Sequence, residues 1–202
     1  MKHKRIFSAA LVTLLMLSLS GCNSAKMTVA SLRSKLGGLD MTIRTYDSDS
    51  QVIDEVHGKS IDIRRSKKFD TVIDGQSQKD SSVLDITIGD STMTHVGSSL
   101  IASEDSLTDV LDLYNKSVTV DNDELAVPII NRVAANLDNL TTGRDKLVLI
   151  RSQDGYPLAT YTGNDVSTFA VNIPKTTAFM IDGDVLLVYR CDYTIYDTAL
   201  LK

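Results

Sequence analysis

Short segments in which apolar and polar residues alternate, separated by brief turns, constrain the fold of this chain most. Alternation with a period of two is typical of β-strands that bury one face. Turn-forming residues such as Gly89 and Asp90 separate the segments. Consecutive short strands joined in this way predict an antiparallel meander. The alternating segments of the first half are residues 39–46, 51–56, 59–64, 69–73, 82–88 and 91–96.

Two later segments have helical periodicity instead. Residues 106–109 resemble a capping box with Asp in place of Glu, and apolar residues follow at helical spacing up to Tyr114. The stronger prediction is a helix over residues 127–140, whose apolar side chains form one stripe. Pro128 suits its first turn, and Gly143 can supply a left-handed stop. We expect this principal amphipathic helix to pack on the core.

The strand pattern then returns in an order that resembles its first appearance. Residues 43–58 and 150–163 both contain a strand, an arginine, an acidic turn, a second strand and a glycine. This likeness suggests an internal duplication, although any two series of hairpins share Asp and Gly turns. The predicted fold class is therefore α+β and β-rich. It consists of two antiparallel meander sheets, over residues 39–101 and 146–200, with the helix between them in an insert of residues 104–142.

Size and charge exclude several classes of protein. The 202 residues suffice for one domain with a real core. A hydrophobic content of 43% with 23% charged residues is unlike a disordered tail or a polytopic membrane protein. The net charge of -5 argues against a general nucleic-acid binder.

The N-terminal residues resemble a bacterial export signal. A basic start is followed by an apolar run over residues 6–19, which is too short for an ordinary spanning helix. Leu19, Ser20, Gly21 and Cys22 then resemble a lipobox. That resemblance implies diacylglycerol on the Cys22 thiol and cleavage between Gly21 and Cys22. The alternative is a plain signal peptide in which Cys22 is incidental.

These features predict three regions: a lipoprotein signal peptide over 1–21, a polar tether over 22–38 and a single β-rich domain over 39–202. Removing the leader takes away three basic residues and no acid, so the net charge of -5 becomes -8. Two acyl chains on one cysteine give durable anchoring. We therefore expect a protein that is anchored to the extracytoplasmic side of the cell membrane and does not span it.

Candidate reactive residues are few. Once Cys22 is acylated, Cys191 is the remaining thiol, and alternation over residues 184–195 places it on an apolar face, where it would be buried. A reactive or intermolecular role is the alternative. His57 is expected at a turn, while His95 lies in a strand and could face either side. Their spacing matches no metal motif, so we expect no metal and no cofactor.

The usual catalytic motifs are absent from the sequence. Gly58, Lys59 and Ser60 copy the end of a phosphate-binding loop, but Ile53 stands where its first glycine would be. No G-x-S-x-G elbow and no dinucleotide-binding glycine pattern occur. The sequence thus predicts no catalytic residues.

A basic run stands out in this acidic chain. Arg64, Arg65, Lys67 and Lys68 place four positive charges within five residues. They form either a solvated hairpin tip or a contact with anionic lipid headgroups or an anionic wall polymer.

Three stretches resemble a known family. These are residues 46–63, residues 174–177 and residues 196–200. They are similar to short lipoproteins of Gram-positive bacteria that are described only as a domain of unknown function. The resemblance implies a location on the outer leaflet facing the wall, and it implies no substrate, cofactor or catalytic residue.

Two functional hypotheses follow. The first is a non-enzymatic binding or scaffold module at the membrane–wall interface, contacting the membrane through its lipid anchor. The second is a small exported hydrolase, or an accessory subunit of an envelope enzyme, that uses scattered Asp residues with His57 or His95. A pocket holding a histidine beside a carboxylate would favour the second. A transporter's solute-binding component is disfavoured because the chain is short for two lobes.

Overall fold

The computed structural model describes residues 37–112 and 143–201, and almost all of their regular secondary structure is β-strand. Two short 3-10 helices, Lys67–Phe69 and Thr198–Leu201, accompany the strands. In chain order the strands are β1 (Asp40–Tyr46), β2 (Val52–Lys59), β3 (Ile61–Arg65), β4 (Val72–Ile73), β5 (Gln76–Ser77), β6 (Leu84–Ile88), β7 (Ser91–His95), β8 (Ser99–Glu104), β9 (Lys146–Arg151), β10 (Pro157–Gly163), β11 (Val166–Ala170), β12 (Thr176–Ile181), β13 (Asp184–Tyr189) and β14 (Asp192–Asp197).

The largest sheet has six strands in the order β11-β12-β13-β8-β1-β2, and every neighbouring pair is antiparallel. Strand β8 lies near its centre, where Ala102 is opposite Ile43 on one side and Leu187 on the other. Five of the six residues of β8 are buried. A strand that is paired on both edges and covered on both faces requires such a composition.

Two three-stranded sheets cover the two faces of this sheet. The first has the order β3-β6-β7 and the second the order β10-β9-β14. Leu100 and Ala102 of β8 belong to a core shared with Ile63 and Ile86 of the first small sheet. Ile101, which points the other way, belongs to a core shared with Val148 of the second. The alternation of β8 therefore serves two cores, and the molecule has three β layers.

The predicted α+β fold class is wrong. No helix of the predicted kind occurs within residues 37–112 and 143–201, and the predicted helix over 127–140 lies outside them. In the segment predicted as a helix from residue 106, helical structure begins at Val110 and continues to Asp112, where the described part ends. The two halves also do not form separate sheets, since strands β1, β2 and β8 pair into the same sheet as β11, β12 and β13. Alternation reports which face of a strand is buried, whereas edge pairing decides which sheet it joins.

The alternating stretch over residues 184–195 is also two strands rather than one. Arg190 interrupts it with a φ of 52°, and its N–H donates to the carbonyl oxygen of Lys175 at 2.9 Å. The interruption sends β13 into the six-stranded sheet and β14 into the β10-β9-β14 sheet. At a non-glycine residue with positive φ the backbone changes direction sharply, and the alternation of apolar residues does not indicate such a change.

One glycine is required by close packing. A Cβ atom at Gly163 would lie 2.6 Å from Cγ2 of Ile181, which is itself almost fully buried. We expect Gly163→Ala to lower the free energy of unfolding by about 1–3 kcal/mol, because the core has no room to move aside. Thr168→Ala, an exposed change in the neighbouring strand β11, should stay within about 0.5 kcal/mol of the parent in the same urea titration. Equal midpoints for the two variants would contradict this packing argument.

Candidate functional site

A polar cleft lies beside strands β1 and β2 and is lined in part by the segment 105–112, which follows β8. It consists of two cavities of about 390 and 260 Å³, both of which are lined by Arg44, Asp109 and Asp112. The lining carries charges of both signs together with hydroxyl groups. Its other polar members are Thr42, Tyr46, Ser50, Glu55, Ser103, Asp105, Thr108 and Tyr161.

Arg44 provides the positive charge of the cleft. It lies opposite Glu55 in the register of β1 and β2, and its Nε donates to Oε2 of Glu55 at 2.6 Å. Burial by itself would lower the pKa of Arg44, but the hydrogen bond to Glu55 and the proximity of Tyr46 leave that pKa above its ordinary value. The guanidinium therefore remains charged at every physiological pH.

A histidine, a carboxylate and a hydroxyl group meet at the edge of the cleft. Nδ1 of His57 lies 3.0 Å from Oδ2 of Asp105, and Oγ1 of Thr42 donates to Oδ1 of the same carboxylate at 2.8 Å. Oγ1 of Thr42 is also 3.4 Å from Nδ1 of His57. In a nucleophile–histidine–carboxylate triad the hydroxyl and the carboxylate face different ring nitrogens. Here both face Nδ1, so Thr42 is not placed as an activated nucleophile.

Asp109 lies at the floor of the cleft and begins the helical turn. Its Oδ1 accepts the N–H groups of Leu111 at 3.0 Å and Asp112 at 3.3 Å, which is the geometry of an N-cap. The same oxygen accepts the N–H of Thr160 in β10 at 3.0 Å. Burial raises the pKa of Asp109 to about 6, although these three backbone donors oppose the rise.

Sequence reasoning missed most of this cleft. His57 was expected at a turn, but it lies within β2, which continues to Lys59 before Ser60 turns with a φ of 57°. The cap was expected at the start of the 106–109 segment, whereas Asp109 provides it. Part of the cleft could have been predicted from the pairing of β1 with β2. That pairing places Arg44 opposite Glu55 and Thr42 opposite His57.

The structure buries one residue of the basic run and leaves the other three exposed. Arg65 forms an ion pair with Asp70 in which the side chains are only 8% and 2% exposed, so Arg65 cannot contact a surface. Arg64 pairs with Asp62 while remaining largely exposed. Lys67 and Lys68 lie exposed on the first 3-10 helix. Three of the four predicted contact residues therefore face solvent.

His95 and Cys191 do not line the cleft. Nε2 of His95 is 3.0 Å from the carbonyl oxygen of Ser98, and its ring packs edge-on against Tyr189. The Cys191 thiol is partly buried against the second core and lies 3.3 Å from the carbonyl oxygen of Tyr189. Burial raises the pKa of Cys191 to about 12, so the reactive thiolate is scarce at neutral pH.

The predicted leader, with Gly21 and Cys22, lies outside the described residues, as does most of the predicted tether. Within the described residues, no helix is long and apolar enough to cross a membrane. In the same part of the chain, no group of three or more His, Cys, Asp or Glu side chains is arranged to hold a metal ion.

Comparison with known proteins gives one match. Residues 4–201 match the family described as a domain of unknown function, DUF5052. The chain belongs to the DUF5052 family. No curated protein and no solved structure matches it. The DUF5052 description names no ligand or reaction, so functional roles for the cleft and for the basic run have to be argued from their geometry.

Proposed function

We propose that this DUF5052 protein is a lipid-anchored, non-enzymatic binding module on the outer face of a Gram-positive cell membrane. Support for the anchor comes from the basic start, the short apolar run and the lipobox-like residues that end at Cys22. The family match begins at residue 4 and so includes this leader. Acylation of Cys22 would hold the folded domain between the membrane and the wall.

Binding rather than chemistry is supported by the way the cleft pairs its own polar groups. Arg44 is held by Glu55, and Asp105 is shared by His57 and Thr42. Exposed ion pairs of this kind contribute little to stability. A ligand with hydroxyl, amide and charged groups can therefore replace one member of such a pair with little loss of free energy. It then gains hydrogen bonds in a partly buried site. A segment of a polar wall polymer has this chemistry, and it is the ligand we propose for the cleft.

The test is binding to purified cell-wall polymer. Arg44→Gln should weaken co-sedimentation about 10-fold or more, because a charge-assisted hydrogen bond contributes about 1.5–3 kcal/mol. Arg144→Gln is the matched control, since Arg144 is also paired with an acid, Asp182, but lines neither cavity of the cleft. Equal binding by the two variants, with unchanged melting temperatures, would show that the cleft is not the binding site.

Anchoring is tested separately. In the native host, the protein should be recovered with membranes and should carry the mass of a diacylglycerol adduct on a chain that begins at Cys22. Cys22→Ala should abolish both the adduct and the membrane recovery. A plain signal peptide would instead yield an unmodified protein released from the cell.

A hydrolase is the second candidate, because His57 lies beside Asp105 with a hydroxyl group within reach. We expect the purified protein to be inactive on esterase, phosphatase, glycosidase and peptidase substrates, since Thr42 lacks a free base. Turnover that disappears in His57→Ala but persists in His95→Ala would establish the hydrolase instead.

A further inference from the structure

The β4–β5 hairpin projects from the β layers. Its turn residues Asp74 and Gly75 have φ values of 50° and 76°, as a two-residue type I′ turn requires. All four strand residues of the hairpin are exposed, so neither of its faces is covered by the rest of the described structure. An isolated two-stranded hairpin is marginal in water, and its base must therefore be held in another way.

Polar contacts hold that base. Oδ2 of Asp70 accepts the hydroxyl of Ser77 at 2.5 Å, and Oδ1 of Asp80 accepts the N–H of Thr71 at 2.8 Å. The N–H of Gln78 donates to the carbonyl oxygen of Thr71 at 2.9 Å. The buried ion pair of Asp70 with Arg65 ties this network to strand β3. The hairpin is thus fixed in position although its faces are uncovered.

Three large apolar side chains lie on this projection. Phe69, Val72 and Ile73 are 57%, 64% and 54% exposed. Single exposed apolar residues are common, but three within five residues on one fixed projection are typical of an interaction site. Val72 and Ile73 are consecutive residues of β4, so the hairpin exposes an apolar side chain on each of its faces. Strand propensity explains the β-branched residues in part. It does not explain Phe69, which lies in the preceding 3-10 helix.

Lysines surround the apolar side chains. Lys67, Lys68 and Lys79 are exposed, and the acidic residues of the hairpin are Asp74 and Asp80. The N–H of Thr71 lowers the pKa of the exposed Asp80 carboxyl, so Asp80 also carries a negative charge at neutral pH. The nearby arginines are neutralised by their acidic partners. The three exposed lysines therefore outnumber the two carboxylates, and the projection carries a small positive excess in a chain whose net charge is -5.

We propose that this hairpin contacts the surface of an anionic bilayer. Phe69, Val72 and Ile73 enter the boundary between headgroups and acyl chains, while the lysines contact anionic headgroups. Three side chains are too few for a stable protein interface, which needs about 800 Å² on each partner. The proposal rests on the lipid anchoring proposed above, which brings the domain to such a surface.

The absence of Trp from the sequence makes a direct test simple. Phe69→Trp places a unique fluorophore on the hairpin. Tyr156→Trp, at a position that is 41% exposed in the turn between β9 and β10, places one on the opposite outer layer. The full protein, as purified from membranes, is mixed with or reconstituted into vesicles of phosphatidylglycerol and phosphatidylcholine that carry bromine on their acyl chains.

The emission of the Phe69→Trp variant should shift to the blue and fall by about half or more, while the emission of the Tyr156→Trp variant should change little. Adding Lys67→Glu, Lys68→Glu and Lys79→Glu to the Phe69→Trp variant should remove most of the quenching. Unquenched emission from Phe69→Trp, or equal quenching of both variants, would overturn the proposal. A protein partner that covers the hairpin and keeps it away from lipid would give that unquenched result.

Mass spectrometry of the same samples reports acylation independently of the fluorescence. An acylated Phe69→Trp protein whose emission is not quenched refutes the hairpin contact alone. An unacylated Phe69→Trp protein whose emission is quenched refutes the anchor alone. The two failures are therefore distinguishable.

Discussion

Replacing Asp70 by Ala should lower the free energy of unfolding by about 3–5 kcal/mol, because it leaves the buried guanidinium of Arg65 without its partner. The same carboxylate also accepts the N–H of Ser81 and the hydroxyl of Ser77, so the hairpin base loses its central acceptor. Urea denaturation followed by circular dichroism measures the loss. It should be among the largest for any single polar residue that the structure describes.

The control is Asp74→Asn, which removes a negative charge from the turn of the same hairpin while tolerating its positive φ. We expect it to change the free energy of unfolding by less than about 0.5 kcal/mol. The double variant Arg65→Met with Asp70→Leu should recover only part of the stability, because apolar residues can replace a buried ion pair but not the acceptor of Ser77 and Ser81. An Asp70→Ala variant as stable as Asp74→Asn would show that the pair contributes nothing.

Asp109 should make stability depend on pH, with a contribution of about 3 kcal/mol. Its pKa is about 6 in the folded protein and 3.8 in the unfolded chain, and one pKa unit corresponds to about 1.4 kcal/mol. Because the folded pKa is the higher one, the folded state binds the proton more tightly. The contribution is fully present below pH 4, and it is lost as the pH rises to about 6.

Asp109→Asn isolates this effect, since the amide oxygen can still accept the N–H groups that Asp109 caps. The free energy of unfolding of the variant minus that of the parent should rise by about 2 kcal/mol between pH 4 and pH 7.5, since part of the contribution is already lost at pH 4. Asp109→Ala should be destabilised at both pH values, because it loses the cap. A difference between the Asn variant and the parent that does not change with pH would contradict the assignment.

Alternation located many strands correctly, whereas it could not assign them to sheets. Strands β1, β3, β6 and β7 lie within segments predicted from the sequence, apart from a single residue at the end of β3. The side-chain period identifies the buried face, and Met41 and Ile43 are indeed fully or almost fully buried. The sequence around β8 does not show that β13 and β1 are its neighbours in the sheet, because this arrangement joins distant parts of the chain. The prediction of two separate sheets was wrong because the sequence does not show this pairing.

The cleft was less predictable than the fold, since its residues come from distant positions. Thr42, His57 and Asp105 meet because β2 returns along β1 and the chain after β8 crosses beside them. Each is an ordinary strand or turn residue in the sequence. The basic run was predicted as one charged patch, but folding buries Arg65 against Asp70 and leaves its neighbours outside. Its partner Asp70 is only five residues along the chain, but the sequence does not show that the fold buries this pair.

The central position of β8 has a consequence for the time course of folding. Ala102 must pair with Leu187, so the middle of the largest sheet closes only after nearly the whole chain is available. Contacts between residues so far apart in sequence make closure slow and leave the edge of β8 unsatisfied until β13 arrives. If the chain is exported as we propose, such late closure would delay the native state until both halves have reached the same side of the membrane.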